Sequence, residues 1–137
     1  MQKQCGKFYF MIQKGTYLNV IDNSGAKVVG CIQVKKGFKQ RYASIGDIII
    51  VSIKSLRNKR RSTSKVKKGD VLKALIVRTK ISVSDYSNKS IKFFENSVIL
   101  LTNNNKPIGT RIFGSLPKFF RYTKHFKIAS LSAGLTS

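Results

Sequence analysis

Between Lys54 and Lys68 the chain carries Lys54, Arg57, Lys59, Arg60, Arg61, Lys65, Lys67 and Lys68, with no acid among them. Side chains of this kind neutralise phosphates, and the counterions released from a nucleic acid drive the association without demanding exact geometry. The residues interleaved with them, Ser62, Thr63 and Ser64, are small and polar. Such a segment cannot pack a core and is expected to be mobile in water, ordering when it meets RNA. It would position a partner rather than read it, because phosphate contacts carry little sequence information. The competing reading is a solvated loop that keeps the chain soluble.

A second patch gathers Lys35, Lys36, Lys39, Arg41 and Tyr42 around Phe38. Aromatic rings among cations stack on unpaired bases; equally, Phe38 or Tyr42 could cap the core. Lysines heavily outnumber arginines, which suits diffuse phosphate neutralisation better than bidentate base readout. The expectation is shape-directed, salt-dependent RNA binding.

Catalytic chemistry finds no foothold. An active site needs titratable groups brought together, and the single histidine, His125, sits among lysines and aromatics, where it reads as exposed and incidental. Asp22, Asp47 and Asp70 each stand at a turn beside a strand-like run, and Asp85 and Glu95 have no acidic neighbour. No glycine-rich phosphate loop precedes a helix and no Cys/His cluster is present. The reading is therefore of a non-enzyme with no cofactor, no metal and no small-molecule substrate.

The elements that must hold these cations are short strands. Runs rich in Ile, Val, Leu and Phe recur, bounded by Gly, Asn, Asp and Ser. Thr16–Ile21 and Ala26–Val34 flank the turn Asp22-Asn23-Ser24-Gly25, and the Lys35–Ile45 loop leads to Asp47–Leu56. Val71–Val77 follows the basic segment, and Ile91–Phe94 and Val98–Leu101 flank a kink at Glu95-Asn96. Gly46-Asp47 and Gly69-Asp70 are matching punctuation, glycine for a tight turn and aspartate for nearby amides. Leu116–Tyr122 and Lys127–Leu131 could each form one or two helical turns. Many short strands in so short a chain indicate an all-β fold, a small barrel that hides its edges.

The 137 residues hold 27 Lys and Arg against 5 Asp and Glu, a formal charge of +22, while 42% are hydrophobic. A disordered basic tail would lack that apolar content, and no apolar run approaches the roughly 20 residues needed to cross a bilayer. A domain so charged repels itself unless a polyanion compensates. Nucleic acid fits best, an acidic protein ranks lower, and a membrane surface is disfavoured because no long basic amphipathic helix is present. Cys5 and Cys31 match no metal spacing, and small secreted scaffolds carry more cysteines at higher density, so a reducing compartment is the default reading. Residues 1–10 lack the apolar core of a signal peptide and read as an extension on a single domain over 11–137.

Taken in order, several segments resemble the universal large-subunit ribosomal protein L-fourteen family. They are Leu18-Asn19-Val20-Ile21-Asp22-Asn23-Ser24-Gly25-Ala26, then Arg41-Tyr42-Ala43 with Gly46-Asp47-Ile48-Ile49, then Lys65-Val66-Lys67-Lys68-Gly69-Asp70-Val71-Leu72-Lys73-Ala74. Val77-Arg78-Thr79-Lys80 and Pro107-Ile108-Gly109-Thr110-Arg111-Ile112-Phe113-Gly114 complete the set, which spans Met11 to about Leu131. The resemblance implies a five-stranded β-barrel with basic loops and a short C-terminal helical region. It also implies a non-enzymatic role on the large ribosomal subunit, binding large-subunit rRNA and meeting small-subunit rRNA at a bridge during translation. Arg78 and Lys80 join the rRNA-binding candidates, and Thr110, Arg111, Lys124 and Lys127 become the intersubunit candidates. Neighbouring ribosomal proteins of the L-three and L-nineteen types, and a silencing factor that blocks subunit joining, are the implied protein partners.

The chain departs from the family pattern in places. The loop between Lys54 and Lys65 is longer than the bacterial form, Ser87-Asn88 replaces an Asp-Gly turn, and Phe94-Glu95 replaces another before Asn96. Abundant Ile, Lys, Asn, Phe and Ser with scarce Ala suggest an AT-rich genome, which with the bacterial-type pattern points to a mitochondrial ribosome; a plastid or a bacterial cytoplasm is the alternative. Charge alone would fit a free nucleic-acid chaperone or architectural protein, and the ordered motifs favour the ribosome over it.

Overall fold

The computed structural model describes residues 12–35, 37, 38, 40–57, 62–84 and 89–136. Lys36, Lys39, Lys59, Arg60, Arg61, Asp85, the Ser87-Asn88 turn and the 1–10 segment lie outside the described residues. Five strands close a barrel: β2 (Tyr17–Val20), β3 (Ala26–Val34), β5 (Ile48–Leu56), β6 (Val71–Arg78) and β9 (Ser97–Leu101). Neighbours run antiparallel except at the seam, where β2 and β9 pair in parallel through Asn19↔Ser97 and Val20↔Val98. Two-residue strands decorate the barrel: β1 (Ile12–Gln13) pairs with β4 (Tyr42–Ala43) inside the Lys35–Ile45 loop, and β7 (Val83–Ser84) pairs with β8 (Ser90–Ile91).

Side-chain alternation assigns the two faces of each strand. In β5, Ile49, Val51 and Ile53 are buried while Ile48, Ile50 and Ser52 between them are half-exposed, the period-2 pattern of a strand with one wet face. These residues join Leu18, Val20, Val29, Cys31, Ala74, Ile76, Val98 and Leu100 inside the barrel. Each large aliphatic chain buried there is worth roughly 1.5–3 kcal/mol before chain entropy is charged. Burial raises the Cys31 thiol above its ordinary pKa, as expected for a small core residue.

Strand β9 differs, being buried at every position. Val98 and Leu100 enter the barrel, whereas Ser97, Ile99 and Leu101 belong to the outward-facing register, and Ile99 and Leu101 sit under a second core with Leu75, Val77, Ile112, Leu116, Phe120 and Ile128. That lid is the C-terminal region: β10 (Ile112–Pro117), a 3-10 turn (Lys118–Tyr122), α1 (Phe126–Leu131) and β11 (Ser132–Thr136). Strands β10 and β11 are parallel, with Leu116↔Leu135 in register. A parallel pair cannot be joined by a tight hairpin, and the two helical pieces supply the crossover.

The tail is where the expected elements need correction. Leu116 and Pro117 end a strand rather than open a helix, and the helical turn begins at Lys118. Ser132–Thr136, outside every expected element, is a strand. The expected Ile91–Phe94 strand shrinks to Ser90–Ile91, with Phe93 and Phe94 carried in a bend. His125 is buried at 9% exposure, not exposed as its lysine-rich context suggested, because it precedes α1 where Ile128 draws the chain onto the lid core.

Candidate nucleic-acid interface

A free carboxylate at the surface would dilute the positive field, so the placement of the acids matters. Asp22 is buried; Oδ1 accepts from the amide and hydroxyl of Ser24, and Oδ2 accepts from the Leu100 amide at 3.1 Å. Burial raises its pKa against these hydrogen bonds and the nearby charge of Arg57. Asp47 accepts from the Ser44 amide at 2.8 Å and Asp70 from the Lys67 amide at 2.9 Å, each closing a four-residue turn whose third position is the glycine before it. Glu95 accepts from Asn19 at 2.9 Å and Ser97 at 3.0 Å, and pairs with Arg78 at 3.4 Å. The four acids among the described residues are thus all engaged within the fold, and the lysines dominate the surface.

The basic arm is tied at both ends to the Asp22–Gly25 turn. The Arg57 amide donates to Gly25 O at 2.9 Å and the Lys65 amide to Ser24 O at 3.0 Å. Val66 is buried in the barrel core, so the returning half of the arm does pack, contrary to the expectation for the whole segment. The hydrophobic drive of this one valine, placed among lysines, is what composition averaged over the segment conceals. Lys54, Lys67 and Lys68 are exposed. Lys65 donates to Ile108 O at 3.2 Å. Arg57 is half-buried, donating to Val20 O at 3.0 Å with its guanidinium 5.3 Å from the centre of the Phe113 ring.

The same turn holds the segment that carries Thr110 and Arg111. Asn23 Oδ1 accepts from the Thr110 amide at 2.8 Å and the Arg111 amide at 3.3 Å, while Asn23 Nδ2 donates to Thr110 Oγ1 at 2.9 Å. Gly109 is packed so closely that an added Cβ would lie 2.7 Å from Asn23 Oδ1 and 2.9 Å from Asp22 Cβ. Further along, the Phe113 amide donates to Ile21 O at 2.8 Å. Thr110 and Arg111 are exposed on this pinned loop, whereas Lys124 and Lys127 are exposed on the lid beside Tyr122 and Phe126.

The fold brings the arm's ends and the Gly109–Arg111 loop together at one turn. A family model for ribosomal protein L14p/L23e matches residues 11–136. The chain belongs to the ribosomal protein L14p/L23e family.

As an L14p/L23e protein it is a structural component of the large ribosomal subunit rather than an enzyme, resident in the ribosome with rRNA and ribosomal proteins as its partners. The remaining sequence candidates sit elsewhere on this L14p/L23e barrel. Lys35 and Arg41 are exposed beside a groove lined by Gln13, Lys14, Ile32, Gln33 and Gln40. Phe38 is 89% exposed and so does not cap the core, while Tyr42 is half-buried in β4. Lys80 is exposed, its amide donating to Asn96 Oδ1 at 2.9 Å.

Arg78 is turned inward, its side chain only 13% exposed. Its guanidinium donates to Ser115 O at 2.9 Å and Phe113 O at 2.6 Å, and reaches Glu95 on its third edge. Burial lowers its pKa from the ordinary guanidinium value while Glu95 opposes the shift. The fork geometry of arginine suits this brace between barrel and lid, where lysine would satisfy fewer acceptors. The residue that sequence reasoning passed over is Asn23, which pins the Thr110–Arg111 backbone. It carried a signal, as the second residue of an Asp-Asn-Ser-Gly turn, a type that bonds neighbouring backbone.

Proposed function

We propose that this chain docks folded large-subunit rRNA through its basic loops and offers a separate face to small-subunit rRNA at a bridge during translation. The rRNA-facing groups are Lys35, Arg41, Lys54, Lys67, Lys68 and Lys80, and Lys36, Lys39, Lys59, Arg60 and Arg61 are assigned to the same group from their place in the sequence. Arg57 and Lys65 hold the arm's ends to the barrel and Arg78 braces the lid, while Tyr42 in β4 belongs with the rRNA-facing group. Thr110 and Arg111, with Lys124 and Lys127 on the lid, form the intersubunit group. Proteins of the L-three and L-nineteen types are its neighbours on the particle, and a silencing factor competes for the bridge face. The ribosome concerned is mitochondrial.

The observation that carries this reading is the Asp22–Gly25 turn, which fastens both ends of the arm and, through Asn23, the backbone of Thr110 and Arg111. Fastened ends shorten the stretch of arm that must be ordered, which lowers the conformational entropy lost on docking. Lysine-rich loops on a rigid barrel suit shape matching with phosphate neutralisation.

The test is Arg111→Ala with Lys127→Ala in the intact particle, followed by sedimentation. Subunit joining should weaken while large-subunit assembly proceeds. Equal loss of both would overturn the bridge assignment, and transfer of the chain from particles to DNA at moderate salt would overturn the rRNA role.

A further inference from the structure

We propose that Phe94 is a stacking platform for one unpaired nucleobase of ribosomal RNA, a site separate from the basic arm and the bridge face. The ring is fully exposed at the tip of the bend between β8 and β9. An isolated exposed aromatic would mean little, but this one stands on a braced base. On one side, the Phe93 amide donates to Thr79 O at 3.1 Å, and the Phe93 side chain packs against the lid core with the Arg78 guanidinium 5.8 Å from its ring centre. On the other side, Glu95 is held by Asn19, Ser97 and Arg78. Asn96 accepts through Oδ1 from the Lys80 amide and through its carbonyl from the Asn19 amide at 3.1 Å. Every residue flanking Phe94 from 93 to 96 is therefore anchored, and the ring is presented ready-made.

The electrostatic setting favours a nucleobase over an apolar protein pocket. Lys92 and Lys80 are exposed beside the bend, and Lys27 lines a groove with Asn19, Arg57 and Glu95. Among the described residues the acid beside the bend is Glu95, which is opposed by Arg78 and does not repel a phosphate as a free carboxylate would. An exposed aromatic ring on a bend that also carries exposed lysines matches the combination used for unpaired strands: cations track the backbone and the ring takes the base face. Because the backbone on both sides of Phe94 is already hydrogen-bonded, the ordering cost when the base arrives falls mainly on the ring's own rotamers.

The inference rests on the rRNA-docking reading above, and its test separates the two. A photoreactive benzoyl-phenylalanine is introduced at position 94 and, in a second protein, at position 111, and intact particles are irradiated. A crosslink from position 94 to an rRNA base is expected; its presence in isolated large subunits assigns the base to that subunit, and its appearance only after joining assigns it to the small one. In Phe94→Ala particles the same nucleotide should become several-fold more reactive to base-directed reagents, with Phe94→Tyr restoring protection. A crosslink from 94 to protein, or none while position 111 reacts with rRNA, overturns the stacking site alone. Silence towards RNA at both positions overturns the stacking site and the bridge assignment, and the docking reading falls with them if replacing Lys54, Lys67 and Lys68 by Gln also leaves rRNA affinity unchanged.

Discussion

Asn23 holds Thr110 with both ends of one side-chain amide, its oxygen on the Thr110 N–H at 2.8 Å and its nitrogen on the Thr110 hydroxyl at 2.9 Å. The two residues are 87 positions apart, so the bond fixes the first turn of the barrel against the loop that presents Arg111. Asn23→Ala should therefore reproduce the subunit-joining defect of Arg111→Ala without removing any charge. Its stability cost should be about 1 kcal/mol, since these hydrogen bonds are solvent-accessible. Thermal denaturation of the full chain and sedimentation of assembled particles check the two halves separately.

The buried carboxylate of Asp22 accepts N–H groups on both of its oxygens, from Ser24 and Leu100. Asn, its nearest isostere, would aim an NH2 group at one of those donors and leave it unsatisfied. Asp22→Asn should cost about 1–3 kcal/mol despite removing a buried charge. Urea denaturation gives the difference, and an unchanged midpoint would contradict the latch.

Gly114 has φ of +81° and lies against the Arg78 guanidinium, where an added Cβ would collide. Gly114→Ala should destabilise by roughly 1–3 kcal/mol through the strained backbone alone, with the displaced brace adding to it. Arg78→Ala removes the same brace, so the double variant should be less destabilised than the sum of the singles. Strict additivity in a denaturation cycle would show that the two do not interact.

Burial, assisted by the charge of Lys124, lowers the pKa of His125. The unfolded chain then takes up a proton near the ordinary imidazole value, about 6.5, that the folded chain declines. Stability should fall as pH drops through that value and level off below the lowered folded pKa. His125→Gln should flatten this part of the profile, read as the urea midpoint at pH 5 against pH 7.5.

Lys54, Lys67 and Lys68 are exposed along the arm and its base. Replacing all three by Gln should leave folding intact and reduce the dependence of log affinity on log salt by about one for each phosphate no longer neutralised. Titrations of large-subunit rRNA at several salt concentrations measure that slope, and an unchanged slope would mean that these lysines stay solvated.

Much of the barrel is legible along the chain because its strands declare themselves locally. Ala26–Val34 is apolar and β-branched and ends in a glycine-containing loop, and it is a strand over that whole range. The tail is harder because β10 contains Gly114 and ends in Pro117, while β11 is Ser-Ala-Gly-Leu-Thr. Neither segment has strong strand preference, and each becomes a strand only by pairing with the other. The site is legible as charge but not as structure. Arg57 and Arg78 look like any other cation in the sequence, yet their guanidinium groups serve backbone carbonyls. What distinguishes them is proximity to strand and lid carbonyls, which only the closed fold supplies.

The parallel seam of Asn19↔Ser97 and Val20↔Val98 has a kinetic consequence. The β3–β5–β6 meander is assembled from neighbours in antiparallel order, but the seam must close a loop of roughly eighty residues. Pairings of such high sequence separation slow folding, and until they form, the Asp22 latch on Leu100 and the Asn23 latch on Thr110 are both open. An incompletely folded chain of this charge would bind RNA indiscriminately. Closure of the seam is thus expected to be the slow step of folding, read as a refolding rate limited by the β2–β9 pairing, after which the cations sit at fixed positions on the barrel.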